Sequence, residues 1–482
     1  MKTFEKKYFV AALVTLLALD VVVTTTSFAG GDKFSPRLVG MGRAFTAFSR
    51  GLDAVGVNPA NLALNDRDAT VTINLVPIGF SIGSDLINLQ IYNDYFQGTK
   101  DPVTGNLIKD PVTGNAVGKY LTEDDKNKIL ELFPSGIART QSRIETAPIG
   151  ISLQIGDFGL AIVPASIQTA VNLDLDKAYL EFPLRGYGAG QSYLFDGTAI
   201  NGQSVIESNV SMAYMLPYEF RRVSEISIGV GVKYLQGLAF VATDHYTGSI
   251  TPLTTVNPGG VVTNDTTIAK FDFLQWVARV DQNNIAPVGT GYGIDLGISM
   301  RLFDNIQFAA SITDIGKIKW NKHTQAIIGN ASLRLGAAGD KENQQKLKDA
   351  FKGRTVDTTG FEFDLPTAVH VGAAVQMDDV FDAIPFRWLV AVDGHFGLNE
   401  IGGNTKLPQF SIGTELDPVA GWLPLRTGVI LGGRERFAWS AGFGFHIANT
   451  FDIDFATQSI AILSNPNTFR TGSFTMGMRL RF

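Results

Sequence analysis

Alternation of apolar and polar residues dominates the chain. At the C-terminus one face of a predicted strand is wholly apolar, and its residues are Phe474, Met476, Met478, Leu480 and Phe482. The same period of two recurs within residues 226–234, 292–302 and 437–446. The positions between the apolar residues are mostly Gly and Ser. An apolar outer face combined with a small, weakly charged inner face is typical of a transmembrane antiparallel β-barrel.

The spacing of the alternating segments predicts an all-β chain with an even number of strands, about fourteen, closed into a single barrel. Short connections alternate with long ones, as expected when one end of the barrel faces the periplasm and the other the outside. The long outer loops are predicted at residues 83–142, 181–203, 247–289 and 317–365. We assign Thr266–Val280 to an outer loop, since one more spanning strand would spoil the parity. The alternative is that it extends the barrel wall above the membrane.

The N-terminal residues divide into an export signal and an apolar segment. Residues 1–29 have three lysines, an apolar run and a small-residue cleavage site, and we interpret them as a signal peptide. Residues 30–66 are rich in Gly and Ala and carry large apolar side chains that need burial. With residues 67–482 forming the barrel, we expect residues 30–66 to fold into its lumen as a plug, or hatch.

Composition excludes several function classes. The formal net charge of −6 provides no basic field for nucleic acid. Cysteine is absent, which removes disulfides, thiolate metal sites and Cys nucleophiles. The sequence shows no catalytic constellation and no GxSxG turn. We therefore predict that the protein is not an enzyme and binds no cofactor.

The long loops contain their own local signals. Thr122 is positioned to cap a helix that carries Asp124 and Asp125 in its first turn and ends at Pro134. A second helix is predicted at Lys341–Phe351. The heptapeptide KDPVTGN occurs twice, beginning at Lys100 and Lys109. We interpret it as a duplicated surface turn, with calcium binding as the alternative.

Strand parity directs a set of polar residues into the lumen. They are Lys233, Asp295, Arg301, His370, Asp393, His395, Glu415, Arg426 and His446. A charge without a partner in a poorly hydrated lumen costs several kcal/mol. We therefore expect pairing among these residues and with Arg43, Arg50 and Asp53 of the hatch. The alternative for the arginines is that one receives a ligand carboxylate.

The inward histidines admit two interpretations. Three imidazoles on nearby strands would suit a metal ion. No His pair is spaced two residues apart, however, and we predict polar lining and no metal.

Several short motifs resemble the outer-membrane fatty-acid and hydrophobic-compound transporters of the FadL type. They are Asn58-Pro59-Ala60, the segments 293–297, 313–316 and 365–367, and the aromatic last strand. Residues 34–64 also resemble the secretion-associated relatives of that family that include PorV. The resemblance implies a fourteen-stranded barrel with an N-terminal hatch and a kinked third strand through which apolar ligand leaves sideways. Pro164 lies in the predicted third strand, where it either opens the wall or sits harmlessly at the rim.

We predict an outer-membrane channel of Gram-negative type for passive uptake of small hydrophobic molecules, such as long-chain fatty acids. Its gate would be the turn at Asn58, Pro59 and Ala60, and its lateral exit would lie near Pro164. The expected partners are the lipid bilayer, an apolar ligand and the barrel-assembly machinery, which would engage the strand ending at Phe482. The alternative is a scaffold or shuttle barrel with secretion partners and no transport activity. A wall gap beside Pro164 with an apolar pocket would favour transport, whereas a sealed wall with an exposed loop groove would favour the scaffold.

Overall fold

The computed structural model describes the chain from residue 33 to residue 482. The residues it leaves out within this span are 66–68, 87–88, 102, 187–190, 219, 221, 257–261, 282–285, 304, 336–340, 419–420, 449 and 461–469. The predicted signal peptide, residues 1–29, lies outside the described residues.

Fourteen antiparallel strands close into a barrel, as the alternation predicted. The first strand pairs with both the second and the last, so the sheet has no free edge around the wall. In order around the barrel they are β1 (Val71–Ser84), β2 (Ile137–Ile155), β3 (Phe158–Asp176), β5 (Ala199–Met215), β6 (Val223–Val256), β8 (Gly289–Leu302), β9 (Ile306–Trp320), β13 (Ala368–Gln376), β14 (Arg387–Gly397), β15 (Gln409–Asp417), β16 (Leu425–Gly432), β17 (Arg436–Ile447), β18 (Phe451–Thr457) and β19 (Thr471–Arg481).

The outward face of this wall is apolar. Large side chains with more than a third of their surface exposed include Phe80, Ile151, Val210, Ile228, Leu296, Ile412 and Phe474. An exposed band of this kind around a closed barrel is stable only in contact with lipid. The protein is therefore an outer-membrane β-barrel. No helix among the described residues is long and apolar enough to cross a membrane.

The sheet continues outward beyond the barrel. The outer half of β6 pairs with a strand at Val262–Arg279, which in turn pairs with the strand β10 at Thr324–Leu335. That strand, β7, contains most of Thr266–Val280, so our assignment of this segment to a loop was wrong and the extended wall is the correct alternative. The strands outside the closed ring are β4 (Tyr193–Leu194), β7 (Val262–Arg279), β10 (Thr324–Leu335), β11 (Arg354–Asp357) and β12 (Phe361–Asp364).

The helices lie in the N-terminal segment and the outer loops. Thr122 caps its helix with a reciprocal hydrogen-bond pair to Asp125, as the sequence predicted. The second predicted helix is also present. The α-helices are Pro36–Gly40, Leu89–Ile91, which continues as a π-turn over Tyr92–Phe96, Glu123–Leu130, Ala178–Arg185 and Lys341–Lys352; short 3₁₀ turns span Gly51–Ala54, Pro59–Ala63, Pro134–Gly136 and Met377–Asp379.

The duplicated heptapeptide forms two similar turns. The Asp101 carboxylate accepts hydrogen bonds from the backbone N–H groups of Val103 and Thr104 at 2.9 and 2.7 Å. Asp110 repeats this geometry in the second copy. The bond from Thr104, followed by that from Val103, lowers the pKa of Asp101. Both carboxylates thus act as turn-forming groups.

Residues 33–64, the N-terminal segment, are buried against the inward faces of the strands. Val39, Met41 and Phe45 are almost fully enclosed. The approach is so close that a methyl group built on Gly428 would lie 2.3 Å from the backbone of Met41. The wall therefore has small inward residues at the places where the N-terminal segment contacts it.

This contact predicts a specific effect of overpacking. We expect Gly428→Val to push the segment from the wall and lower the free energy of unfolding by about 1–3 kcal/mol. Gly394 is the matched control, because the nearest atoms to a methyl group there belong to the side-chain rings of Phe396, at 3.0 Å, and Phe410, at 3.8 Å, and not to backbone. Urea unfolding of the detergent-solubilised protein would measure both variants. Equal losses of stability would contradict the packing described here.

Candidate functional site at the N-terminal segment and barrel wall

The Asn58-Pro59-Ala60 turn contacts the wall through the side chain of Asn58. Asn58 has an extended backbone, as expected before proline, and its Oδ1 accepts the Ala60 N–H at 3.1 Å. Its Nδ2 donates to the Ile298 carbonyl at 3.2 Å. A methyl group on Gly297 would lie 2.0 Å from Asn58 Oδ1. The turn is thus seated in a notch that only glycine leaves open.

Three of the motifs that carry the family resemblance, the segments 293–297, 313–316 and 365–367, meet around one buried lysine. Lys233 Nζ lies 2.9 Å from Asp295 and 2.6 Å from Asp314. Asp295 also accepts the Asp314 backbone N–H at 2.8 Å. Thr367 donates its hydroxyl to the Asp314 carbonyl. Segments far apart in sequence therefore meet at one cluster inside the barrel.

A second charged cluster joins the segment to the opposite part of the wall. Arg37 grips Glu415 with two hydrogen bonds, of 2.8 and 2.6 Å. Arg426 binds the same carboxylate and also Asp454, each at 2.6 Å. The predicted lumen residues Glu415 and Arg426 are thus brought together. Arg37 and Asp454 were not among the predicted site residues, although Asp454 lies at an inward position of its strand.

The remaining predicted hatch residues make different contacts. Asp53 pairs with Arg479 of β19 at 2.8 Å. Arg43 reaches Gln458, and Arg50 donates to Gln307 at 2.8 Å. Arg43 and Arg50 therefore meet amide groups of the wall, whereas Arg37 meets a carboxylate.

Asp393 of β14 binds the N-terminal segment at a third place on the wall. Its carboxylate accepts the backbone N–H groups of Phe45 and Thr46 at 3.1 and 2.7 Å. The Thr46 hydroxyl adds a third bond, of 3.0 Å. This predicted inward residue therefore holds the segment's backbone.

The three histidines that were predicted to point inward lie at two places in the barrel. His370 and His395 stack edge to face, with ring centroids 4.7 Å apart. His446 lies with Asp452 and Asp454, and the ligand atoms of these three lie within 4.8 Å of one another. Arg481 binds Asp452 at 2.7 Å, and Arg426 binds Asp454. The two carboxylates thus already neutralise arginines, which favours an ion-pair network over a metal site.

Arg301 differs from the other predicted lumen residues. It pairs with Glu225 at 2.7 Å, and both side chains are about 35% exposed. Arg301 lies next to the last residue of β8, at the end of the barrel with the short turns. It is a rim residue and contacts neither charged cluster.

The wall is irregular where β1, β2 and β3 lie side by side. In β1 and β2, Leu75 pairs with Ile149 and the next pair is Ile78 with Thr146, so the two residues between them on each strand are skipped. Pairing of β3 with β5 skips from Val163 to Ser166. Each gap contains a proline: Pro77, Pro148 and Pro164. Because proline has no N–H to donate, the ladder is interrupted in three neighbouring strands at one height.

We call the interruptions at Pro77, Pro148 and Pro164 the proline seam. The backbone beside it is also strained. Val76 adopts φ 43°, a left-handed conformation that is unfavourable for a β-branched residue. The surrounding structure must hold it there. Pro148 was not singled out in the sequence, although a proline inside a predicted strand is the same signal that marked Pro164.

A cavity of about 80 Å³ lies behind the proline seam. Its apolar lining includes Phe34, Leu52, Val55, Pro77 and Val163. One end is polar, where Glu207 and Glu145 lie 3.2 and 3.6 Å from Lys33 Nζ. Burial opposes the charge of Lys33, but these two carboxylates outweigh it and raise the Lys33 pKa. The cavity thus sits between the N-terminal segment and the weakest part of the wall.

The Arg37–Glu415–Arg426 cluster predicts a large stability effect. We expect Glu415→Gln to lower the free energy of unfolding by about 3–5 kcal/mol, because two buried guanidinium groups lose their shared carboxylate. The control is Glu362→Gln, whose pair with Lys319 is more than half exposed on both sides and is worth about 0–1 kcal/mol. Urea unfolding in detergent measures both. A similar small loss for both variants would show that the cluster does not fasten the segment.

Solved structures similar to this barrel include the Ralstonia pickettii toluene transporter TbuX, which has 13% sequence identity and a TM-score of 0.44, with 94% of this chain and 99% of that chain covered. The CymD monoaromatic hydrocarbon channel has 10% identity and a TM-score of 0.44 over 94% and 99% of the two chains. A Pseudomonas aeruginosa FadL homologue has 12% identity and a TM-score of 0.40 over 95% and 100%. The FadL-type resemblance of the sequence thus has its counterpart among the structural neighbours.

The sequence matches no curated protein. One family model, described as a family of unknown function, DUF5723, matches residues 59–449. The match runs from the Asn58-Pro59-Ala60 turn to the connection after β17 and takes in most of the barrel. The chain belongs to the DUF5723 family.

Proposed function

We propose that the protein lets small hydrophobic molecules cross the outer membrane passively, and that they leave the lumen sideways through the proline seam. The observation that carries the proposal is the interruption of three adjacent strands directly beside an apolar cavity. An interrupted ladder opens with less loss of hydrogen bonds than a regular one. Of the combination that we expected to favour transport, a wall gap beside Pro164 with an apolar pocket, the closed barrel has the pocket and an interrupted ladder in place of an open gap.

A straight path through the lumen conflicts with the contacts of the N-terminal segment. Arg37, Asp53 and Thr46 fasten it to strands on several sides of the barrel. Breaking buried charge pairs of this kind costs several kcal/mol each. A sideways exit leaves these contacts intact and requires movement only at the edge of the segment.

Phe34 is the part of the segment that would move. Its backbone N–H donates to Glu145 at 2.8 Å, and its carbonyl accepts from Thr475 at 2.7 Å. A methyl group on Gly79 of β1 would lie 2.3 Å from its side chain. Phe34 thus blocks the cavity from one side, and its displacement is the proposed gating step. The Asn58-Pro59-Ala60 turn remains the fixed end of the hatch.

The cavity bounds the ligand in this closed state. A volume of about 80 Å³ is smaller than the cavity of about 150 Å³ that holds benzene in an engineered protein. A monoaromatic hydrocarbon such as toluene therefore needs a small displacement of Phe34, and a long-chain fatty acid needs a larger one. Burial of apolar ligand surface, at about 25 cal/mol per Å², drives binding.

The first experiment compares uptake of radiolabelled toluene and of a long-chain fatty acid by cells with and without the protein. We expect the protein to accelerate at least one of them. If cells with and without the protein take up each compound at the same rate, the scaffold or shuttle alternative with secretion partners is favoured.

The exit route has its own test in a chain that contains no native cysteine. Ile149 and Ala165 are direct register partners across the seam. We expect a disulfide between Ile149→Cys and Ala165→Cys to reduce uptake by about tenfold or more, because the cross-link holds β2 and β3 together at the proposed exit; a tenfold change corresponds to about 1.4 kcal/mol. Reduction with dithiothreitol should restore uptake.

The matched control uses Leu153→Cys and Leu160→Cys, which are register partners on the same two strands away from the prolines. Their disulfide should leave uptake unchanged. Undiminished uptake with the seam disulfide formed would place the exit elsewhere, even if transport itself is real.

A further inference from the structure

The connection between β14 and β15 folds inward across the outer mouth of the barrel. Ile401, Asn404 and Thr405 are each more than nine-tenths buried. We call residues 398–407 the crossing loop. Its ends lie on β14 and β15, yet its middle contacts β3 and β5, which lie on the opposite side of the ring.

The near side of the crossing loop is fastened by two asparagines. Asn399 Nδ2 donates to the Leu365 carbonyl at 2.6 Å. Asn404 Nδ2 donates to the Thr367 carbonyl at 2.9 Å and to Asn399 Oδ1 at 2.8 Å. The loop is thus tied to the segment that leads into β13.

The far side is fastened by a buried asparagine of the wall. Asn172 of β3 donates its Nδ2 to the carbonyls of Ile401 and Asn404, at 3.1 and 3.0 Å. A methyl group on Gly402 would lie 2.7 Å from both the Ala170 carbonyl and Gly202 Cα. The loop therefore touches the opposite wall without room for a solute between them.

An arginine completes the closure. Arg434, in the turn between β16 and β17, is almost fully buried and binds Asp174 of β3. Its other nitrogen donates to Glu400 of the crossing loop at 3.2 Å. A guanidinium group serves two carboxylates in this way, whereas an ammonium is a single point charge. The pairs join the turn, the loop and the far wall.

We infer that the crossing loop is a seal on the outer mouth that excludes water-soluble solutes independently of the N-terminal segment. The loop spans the lumen and is bonded on both sides, and its buried polar groups are largely satisfied by the wall. The N-terminal segment meets the wall at other residues. The barrel therefore has two barriers in series, with the seam cavity between them on the side of the bilayer.

Thiol labelling tests this inference without assuming any transported ligand. Ala170 is fully buried beneath the loop, so Ala170→Cys reports when the mouth opens to a charged, membrane-impermeant maleimide. We expect slow labelling in the otherwise unaltered protein. Combining it with Asn172→Ala and Arg434→Gln should accelerate labelling by about tenfold or more, because a buried charge pair loses its partner. Arg434→Lys should give an intermediate rate.

Two controls accompany the labelling. Val103→Cys, at a position 90% exposed in an outer turn, should label rapidly in every background. Lys319→Gln removes an exposed ion pair outside the crossing loop and should leave Ala170→Cys protected. Heat-modifiable gel mobility establishes that each variant has folded. Fast labelling of Ala170→Cys in the unaltered background, or no acceleration after release of the loop, would overturn the inference.

Conductance in a planar bilayer tests the independence of the two barriers. Deletion of residues 33–64 alone should leave ion conductance low, because the crossing loop still closes the mouth. Combining the deletion with Asn172→Ala and Arg434→Gln should open a stable pore. Full conductance from the deletion alone would show that the loop seals nothing.

Discussion

Charges inside the barrel must be paired, and this requirement governs how the protein is closed. A lumen that is filled with chain holds little water, so an ion there is stable only against an opposite charge with good geometry. Glu415 is shared by Arg37 of the N-terminal segment and Arg426 of the wall. Lys233 is shared by Asp295 and Asp314. The segment and the wall are therefore parts of one electrostatic unit.

The proline seam lies beside this unit and not within it. The strands that carry Pro77, Pro148 and Pro164 lose ladder hydrogen bonds where the cavity meets the bilayer. The strongest fastenings of the segment, at Glu415 and Asp393, lie on the other side of the barrel. A wall that is weak at one place and clamped elsewhere directs any opening to that place. The local strain at Val76 is consistent with a site whose geometry is imposed by its surroundings.

Much of the fold could be predicted from the sequence because a barrel strand repeats every two residues. The alternation indicated the strands, the inward faces and small inward residues such as Gly297. It does not encode height, so a strand that continues beyond the membrane looks the same as one that ends there, and Thr266–Val280 was misplaced. Parity also states which way a side chain faces but not which partner it meets.

Pairing across the lumen depends on register, and register depends on bulges that the sequence does not announce. Asp314 reaches Lys233 from a left-handed backbone position, φ 58°, beside a shift in the pairing of β8 with β9. Arg37 was overlooked because an arginine in an apolar segment carries no periodic signal. The crossing loop was overlooked for a related reason, since Gly and Asn residues are typical of exposed turns.

The two parts of the N-terminal segment have different roles in closing the barrel: one part is fixed and the other can move. Its centre is bound by buried charges and by hydrogen bonds from its backbone to Asp393, and these contacts keep it fixed in the lumen. Its first residues, Lys33 and Phe34, border the cavity and the seam, where Glu145, Glu207 and Thr475 hold them. With the outer mouth covered by the crossing loop, water-soluble solutes meet a barrier before they reach either part. An apolar molecule in the cavity then has the bilayer as its nearest favourable surroundings, and only the edge of the segment has to move.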